Sequence, residues 1–242
     1  MHKAPLLAAE SIGKAYGQRE VLKGAYLHAT SGRIVGLLGR NGAGKSTLLR
    51  IAAGCQAADH GTIRLDGAFV ARPTLHVLAR QGLWYVAADA GGLSQRYSVA
   101  AHMTGVARQF DAQACETVAE RLQLSDKWSC AVGELSGGER RLLHLALVML
   151  RRPRILLADE LLRELAPLSA ECATECLREL RQAGCAIVLT GHELTYLRTL
   201  MDAVVWVHAG STRAFNSFEE ASDNWGFQQD FLIGGRCGDG AR

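Results

Sequence analysis

The chain has 242 residues, 48% of them apolar, with 27 Lys and Arg against 24 Asp and Glu and a net charge of +3. That length holds one large domain or two small ones with a substantial core, and the composition is that of a globular protein rather than a disordered or fibrous one. The charge is too small to argue for nucleic acid or an anionic membrane, and the longest apolar run, Leu142 to Leu150, is broken by His144 and falls well short of a membrane span.

Before Glu10 the apolar stretch is too short for a signal peptide. Leu6 to Ser11 and Val21 to Ala29 read as strands with a bend near Gly17, and Ile34 to Leu38 reads as a buried strand. That strand runs into Gly39-Arg40-Asn41-Gly42-Ala43-Gly44-Lys45-Ser46-Thr47, which fits G-x-x-x-x-G-K-[ST], and a helical pattern follows from Thr47 to Ala53. Strand, loop and helix in this order are the context a phosphate loop requires. Backbone N–H groups can cradle a polyphosphate only where no side chain intervenes, hence Gly39, Gly42 and Gly44. The helix that follows turns the positive end of its dipole toward the phosphates. Lys45 brings a full positive charge to the β- and γ-phosphates, and Ser46 a hydroxyl to Mg²⁺. The chain is therefore expected to bind a nucleotide polyphosphate.

Gly54 is a candidate helix cap. Thr62 to Leu65 reads as a strand with a hairpin signal at Asp66-Gly67, Leu75 to Arg80 as a short helix and Leu83 to Ala87 as a strand. Asp89 to Ser94 is a loop, and Val99 to Phe110 and Ala112 to Leu124 carry helical periodicity. After Glu134 the alternation resumes. Helix Glu139 to Leu150 precedes strand Ile155 to Ala158, helix Ser169 to Ala183 precedes strand Ala186 to Thr190, and helix Leu194 to Met201 precedes strand Val204 to His208. A turn at Gly210, a short helix after Asn216 and a Gly-rich end at Gly234 to Arg242 complete the chain. Arg151, Arg152 and Arg154 flank a proline and read as a solvated loop.

Strands alternating with helices imply a parallel sheet covered on both faces. The expected fold class is α/β: a P-loop NTPase core with its parallel sheet covered by helices, an N-terminal antiparallel β segment and an inserted helical subdomain. The core comprises residues 1–88 and 135–222, the helical insert 89–134 and a tail 223–242. Seven cysteines without a C-x-x-C pair read as reduced thiols. Cys172 and Cys176 stand one helical turn apart, but no His or second pair supports a metal site there.

Two further motifs follow. Ile155-Leu156-Leu157-Ala158-Asp159-Glu160 is a buried strand that ends in two carboxylates. Asp159 is placed to hold Mg²⁺ and Glu160 to polarise a water for in-line attack on the γ-phosphate. In Leu135-Ser136-Gly137-Gly138-Glu139 a helix starts on a hydroxyl and free N–H groups. That arrangement is either an anion site or a simple N-cap on Ser136.

Together these residues make the chain resemble the nucleotide-binding subunit of an ABC (ATP-binding cassette) transporter, from about Leu6 to about Ala221. The resemblance implies an ATP- and Mg²⁺-dependent ATPase that energises a transporter through closure of a dimer. Ser136, Gly137 and Gly138 would close on ATP held by the phosphate loop of a second subunit, identical or not, with Asn41, Ala43 and Thr47 also around the nucleotide. It further implies that Tyr16 stacks on adenine, although a strand-end Tyr needs no such role. His192 would contact the γ-phosphate. The membrane domains would be separate transmembrane subunits, no nucleic acid would be bound, and the chain would lie in the cytoplasm against the inner face of the cell membrane. Leu93, Tyr97, Val99 and Met103 either line a groove for a short helix of the membrane subunit or pack the insert's own core. Two positions depart from the family pattern. Ala88 replaces the usual Gln, with Asp89 beside it as a substitute oxygen donor, and Ala166 replaces an interface Asp six residues after Glu160. Slow or partner-dependent turnover is therefore expected. Two other readings stay open: a soluble cassette serving cluster assembly, and a regulatory subunit that binds ATP with little turnover.

Overall fold

The computed structural model describes residues 4–89, 91–110, 113–192 and 194–233. The expected Gly-rich end at Gly234 to Arg242, with Cys237, lies outside the described residues.

Two sheets organise the chain. Strands β1 (Leu7–Tyr16), β2 (Arg19–Ala29), β4 (His60–Leu65) and β5 (Ala68–Phe69) form an antiparallel sheet in the order β2-β1-β4-β5. Strands β3 (Ile34–Leu38), β6 (Leu83–Val86), β7 (Ile155–Ala158), β8 (Ala186–Leu189), β9 (Ala203–His208) and β10 (Ser211–Phe215) form the second, in the order β10-β9-β3-β8-β7-β6. Its pairs are parallel except β9 with β10. The Asp66-Gly67 signal is realised with both residues at positive φ, 49° and 79°, which is what a tight two-residue hairpin needs.

Alternation along the parallel strands divides the core in two. Ile34, Leu38, Leu156, Ala158, Ile187 and Leu189 face one apolar cluster, while Val35, Leu37, Ile155, Leu157, Ala186 and Val188 face the other. The second cluster is closed by the antiparallel sheet, helix α1 (Lys45–Ala52) and Leu78 of helix α2 (Leu75–Arg80). The first is closed by α5 (Gly137–Arg151), α6 (Pro167–Gln182) and α7 (Leu194–Leu200) together with the insert helices α3 (Val99–Ala107) and α4 (Cys115–Arg121). The expected N-terminal antiparallel β segment is thus the layer that, with α1 and α2, covers one face of the parallel sheet, and helices cover the other.

Several expectations need correction. The strand β10 follows the Gly210 turn and pairs back on β9; its composition, Ser-Thr-Arg-Ala-Phe, carries little strand signal. Val99 and Met103 are fully buried and belong to the core, so neither lines an open groove. Leu93 packs against that core from a partly buried position, and Tyr97 alone of the four is largely exposed, at 64%. Arg151 ends α5 instead of sitting on a loop. Its guanidinium lies 5.0 Å from the ring centres of both Trp84 and Phe110 and donates to the Ala79 carbonyl at 2.8 Å. Arg154 pairs with Asp66 at 2.8 Å.

Leu143 on α5 is fully buried in the cluster shared by core and insert. Leu143→Ala is expected to lower the unfolding free energy by about 2–5 kcal/mol, the range for an aliphatic truncation that leaves a cavity. Urea denaturation followed by circular dichroism checks it.

Candidate nucleotide site

Because β3, β8 and β7 are hydrogen-bonded in that order, the segments after them emerge side by side at the C-terminal edge of the sheet. This edge is where ligands bind in open α/β sheets. The phosphate loop follows β3, Thr190 and His192 follow β8, and Asp159 and Glu160 follow β7. The edge is tied across strands. Thr190 N–H donates to the Ala158 carbonyl at 3.0 Å, and Asp159 N–H to the Val86 carbonyl at 2.9 Å.

The loop has the backbone its glycines allow. Gly39 has φ 151°, and a β-carbon there would stand 2.4 Å from the Val207 carbonyl oxygen. Gly44, φ 108°, precedes α1, and a β-carbon would meet Leu22 at 2.8 Å. Any larger residue at either position is both strained and blocked. Lys45, 7% exposed, donates from Nζ to the carbonyls of Gly39 at 2.7 Å and Arg40 at 3.0 Å. Burial lowers its pKa, and the charges of Glu160 and then Asp159 oppose that shift.

One cleft is lined by Tyr16, Arg19, Asn41, Gly42, Gly44, Lys45, Ser46, Thr47, Arg50 and Glu160. Tyr16 ends β1 with its ring 48% exposed and its hydroxyl accepting from Gln56 Nε2. Asp159 is 3% exposed and accepts from the Thr190 hydroxyl. That hydroxyl oxygen in turn accepts from the Glu160 N–H at 3.0 Å. Glu160 stands at φ 54°, a left-handed conformation of the kind that collects at functional sites. Its carboxylate lies between Arg163, whose Nη1 is 2.7 Å from Oε2, and His192, whose Nε2 is 3.8 Å from Oε1. Tyr85, on β6, has its pKa raised by burial and secondarily by the Asp159 charge, which keeps its hydroxyl protonated beside the carboxylates.

Ser136, Gly137 and Gly138 do not line this cleft. They start α5, where Ser136 Oγ accepts from the Glu139 N–H at 3.2 Å and Glu139 Oε2 accepts from the Ser136 N–H at 2.7 Å. This reciprocal capping realises the N-cap reading, and it holds the Glu139 carboxyl below the usual carboxylate range. The loop after Glu160 lies against both glycines, and at Gly138, where the neighbour is backbone, it leaves no room for a side chain. A β-carbon would stand 2.8 Å from Glu164 Oε2 at one and 2.9 Å from the Glu164 carbonyl at the other. At the position of the missing Gln, the Ala88 carbonyl accepts from Arg141 Nη2 at 3.4 Å, and Asp89 Oδ1 accepts from the Gly91 N–H at 2.9 Å within its own loop. The C-terminal segment also reaches the phosphate loop: Asp230 lies 3.7 Å from Arg40 and 2.6 Å from His208.

Sequence reasoning missed Thr190, Arg19 and Arg163. Thr190 was detectable in principle, being the first polar residue after a buried strand and two before His192. Arg19 opens β2 and Arg163 lies in the loop after β7, and neither position carries a motif or periodic signal that marks it as part of a site.

A glycine-shaped loop with a buried lysine, beside a strand that ends in paired carboxylates, defines a P-loop nucleotide-hydrolysing cassette. Comparison with known proteins makes this particular. The sequence model for the family described as ABC transporter matches residues 22–163. A probable ABC transporter ATP-binding protein of Azorhizobium caulinodans is 31% identical over 210 residues, covering 85% of this chain and 75% of the relative. The lipopolysaccharide export ATP-binding protein LptB of Haemophilus influenzae is 27% identical over 226 residues, covering 90% and 93%. The Nod factor export ATP-binding protein I of Paraburkholderia xenovorans is 35% identical over 189 residues; 76% of this chain is covered, and the match spans 61% of that relative. The fold is shared with the ATP-binding subunit of an ABC transporter, at TM-score 0.80 and 22% identity over 95% of this chain and 97% of the other. It is shared also with a dimeric cassette in a post-hydrolysis state bound to ADP and Pi, at TM-score 0.76 and 18% identity over 87% and 98%. The chain belongs to the ABC transporter family: it is an ATP-binding, ATP-hydrolysing subunit that energises a membrane transporter.

Thr190→Val removes the donor to Asp159 and the acceptor of the Glu160 N–H without changing shape. A loss of about 1–3 kcal/mol in unfolding free energy is expected, the usual cost of leaving buried polar groups unpaired, together with lower ATP turnover. Denaturant titration and a phosphate-release assay measure the two.

Proposed function

We propose that Lys45 and the loop N–H groups of residues 39–47 hold the triphosphate, that Tyr16 stacks on adenine, and that Glu160 is the general base. The observation that carries this reading is that Glu160 lines the same cleft as the phosphate loop, directly after the buried Asp159. The cleft supplies positive charge from Lys45, Arg19 and Arg50 to a strongly anionic ligand. Glu160 orients a water and takes its proton as the oxygen attacks the γ-phosphorus, and the bond to the bridging oxygen of ADP breaks in line. His192, beside Glu160, is placed to contact the γ-phosphate.

The donor set fits Mg²⁺. Ser46 offers a hydroxyl and Asp159 a carboxylate, both hard oxygen ligands. Among the described residues there is no cluster of three or more His, Cys, Asp or Glu to form an all-protein cage. One or two protein ligands completed by phosphate and water is the usual Mg²⁺ habit. When bound, the ion neutralises phosphate charge as it develops.

In this reading two cassettes, identical or not, pair head to tail, so that Ser136, Gly137 and Gly138 of one complete the ATP site on the other. Ser136–Gly138 are exposed or half-exposed and lie outside their own cleft, which leaves them available to a second copy. Among the described residues no helix is long and apolar enough to cross a membrane; in this reading, which rests on the family, separate transmembrane subunits form the pathway and the chain works against the inner face of the cell membrane. Ala88 and Ala166 favour slow basal turnover that the membrane partner raises.

Lys45→Ala is expected to abolish ATP binding measured by isothermal titration calorimetry; near-normal affinity would sink the phosphate-loop role. Glu160→Gln should retain ATP binding, lose turnover and accumulate an ATP-bound dimer on size-exclusion chromatography. Unchanged hydrolysis would show that another group activates the water.

A further inference from the structure

The loop after Glu160 carries two charged residues, Arg163 and Glu164, that build a continuous ion-pair chain. Arg163 Nη1 lies 2.7 Å from Glu160 Oε2, and Arg163 Nε lies 3.1 Å from Glu164 Oε1. Glu164 Oε2 lies 3.1 Å from Arg141 Nη1, on the helix that starts at Gly137. The Arg141 side chain is 8% exposed and is fixed on its other side by the Ala88 carbonyl. A backbone turn, Arg163 N–H to the Glu160 carbonyl at 3.1 Å, sets the i,i+3 geometry. The guanidinium is a rigid fork, here divided between two carboxylates, one of which lines the nucleotide cleft.

We propose that Arg163 is a positioning residue that holds Glu160 in a resting state and sets the basal rate of ATP hydrolysis; this rests on Glu160 being the general base. A charge-assisted hydrogen bond from Arg163 occupies one acceptor site of Oε2 and turns that oxygen toward the 161–164 loop, which disfavours its use by a water in the cleft. The other oxygen, Oε1, faces His192 at 3.8 Å. Only Oε2 is held by a hydrogen bond, so breaking the Arg163 contact frees that oxygen for a water in the cleft and raises the rate of hydrolysis. The Glu160 side chain is only 18% exposed whereas that of Arg163 is 55% exposed. The mobile member is therefore the arginine, and its release leaves the carboxylate in the cleft. The chain also names its own trigger. Glu164 touches Gly137 and Arg141 at the start of the helix that a second cassette would contact, so closure there can pull Arg163 away from Glu160.

The test is steady-state and single-turnover ATP hydrolysis by the full-length chain with Arg163→Ala and Arg163→Gln. The contact is partly exposed, and pairs of that kind are worth about 1.4- to fivefold in an equilibrium or a rate. A kcat raised by about that factor is expected in both variants, with KM for ATP unchanged. Arg163→Lys, a point charge that cannot fork, should fall between them and the wild type. The double variant with Glu160→Gln should lose the gain. An unchanged or lower kcat in both single variants overturns the proposal, as does a gain that survives Glu160→Gln. Unchanged hydrolysis in Glu160→Gln alone would instead remove the general-base assignment, whatever Arg163 does.

Discussion

A lysine ammonium group held at 7% exposure is the constraint around which this edge of the sheet is arranged. Burial works against its charge, and what offsets it is carbonyl oxygen from Gly39 and Arg40 and the nearby carboxylates of Glu160 and Asp159. Those carboxylates are themselves withdrawn from water, so each charge in the group depends on another for compensation. Such a group can be assembled only where separate strands end together. The order β3-β8-β7 does this, and Thr190 supplies the hydroxyl that fixes Asp159 and the Glu160 backbone in place. A polyphosphate entering the cleft brings several negative charges to Lys45, Arg19 and Arg50. In the proposed reading the nucleotide supplies the negative charge that these three cations of the cleft attract.

The same order explains the two-sided core. Because β3, β7 and β8 are central, successive residues must be apolar on both faces, and the chain needs covering layers on each. Helices α5 and α6 cover one and the antiparallel sheet the other. The site is therefore carried on strands clamped from both sides, while its moving parts are loops. Glu160, Arg163 and Glu164 sit on the loop between β7 and α6, with Glu160 and Glu164 both at positive φ. The carboxylate is fixed at its backbone and variable only in what its oxygens touch.

Local signals with a strong physical cause were legible in the sequence. The Gly39–Thr47 loop, the Asp66-Gly67 turn, the strand that ends in Asp159 and the Ser136 cap each follow from one residue type at one required place. Where several residue types serve equally, the sequence was silent. Val99 and Met103 are apolar whether they fill a core or line a groove, and only the packing of α3 on α5 decides for the core. The β10 segment is a strand because β9 offers it an edge, a tertiary cause invisible in Ser-Thr-Arg-Ala-Phe. Arg151 sat in a basic cluster that read as solvated, but the Trp84 and Phe110 rings come from distant stretches of chain.

The departures from the family pattern are connected in space. Ala88 stands where a Gln side chain is usual, and its carbonyl meets Arg141. Arg141 holds Glu164, and Glu164 holds Arg163 against Glu160. Ala166, where an interface carboxylate is usual, lies at the far end of the same loop. Against that pattern a Gln and an interface Asp are absent, while Arg163 and Glu164 place two charges on the loop that follows Glu160. With Glu160 as the proposed base, any contact that displaces the 161–166 loop, through Glu164 and the start of α5, also acts on the carboxylate that lines the cleft.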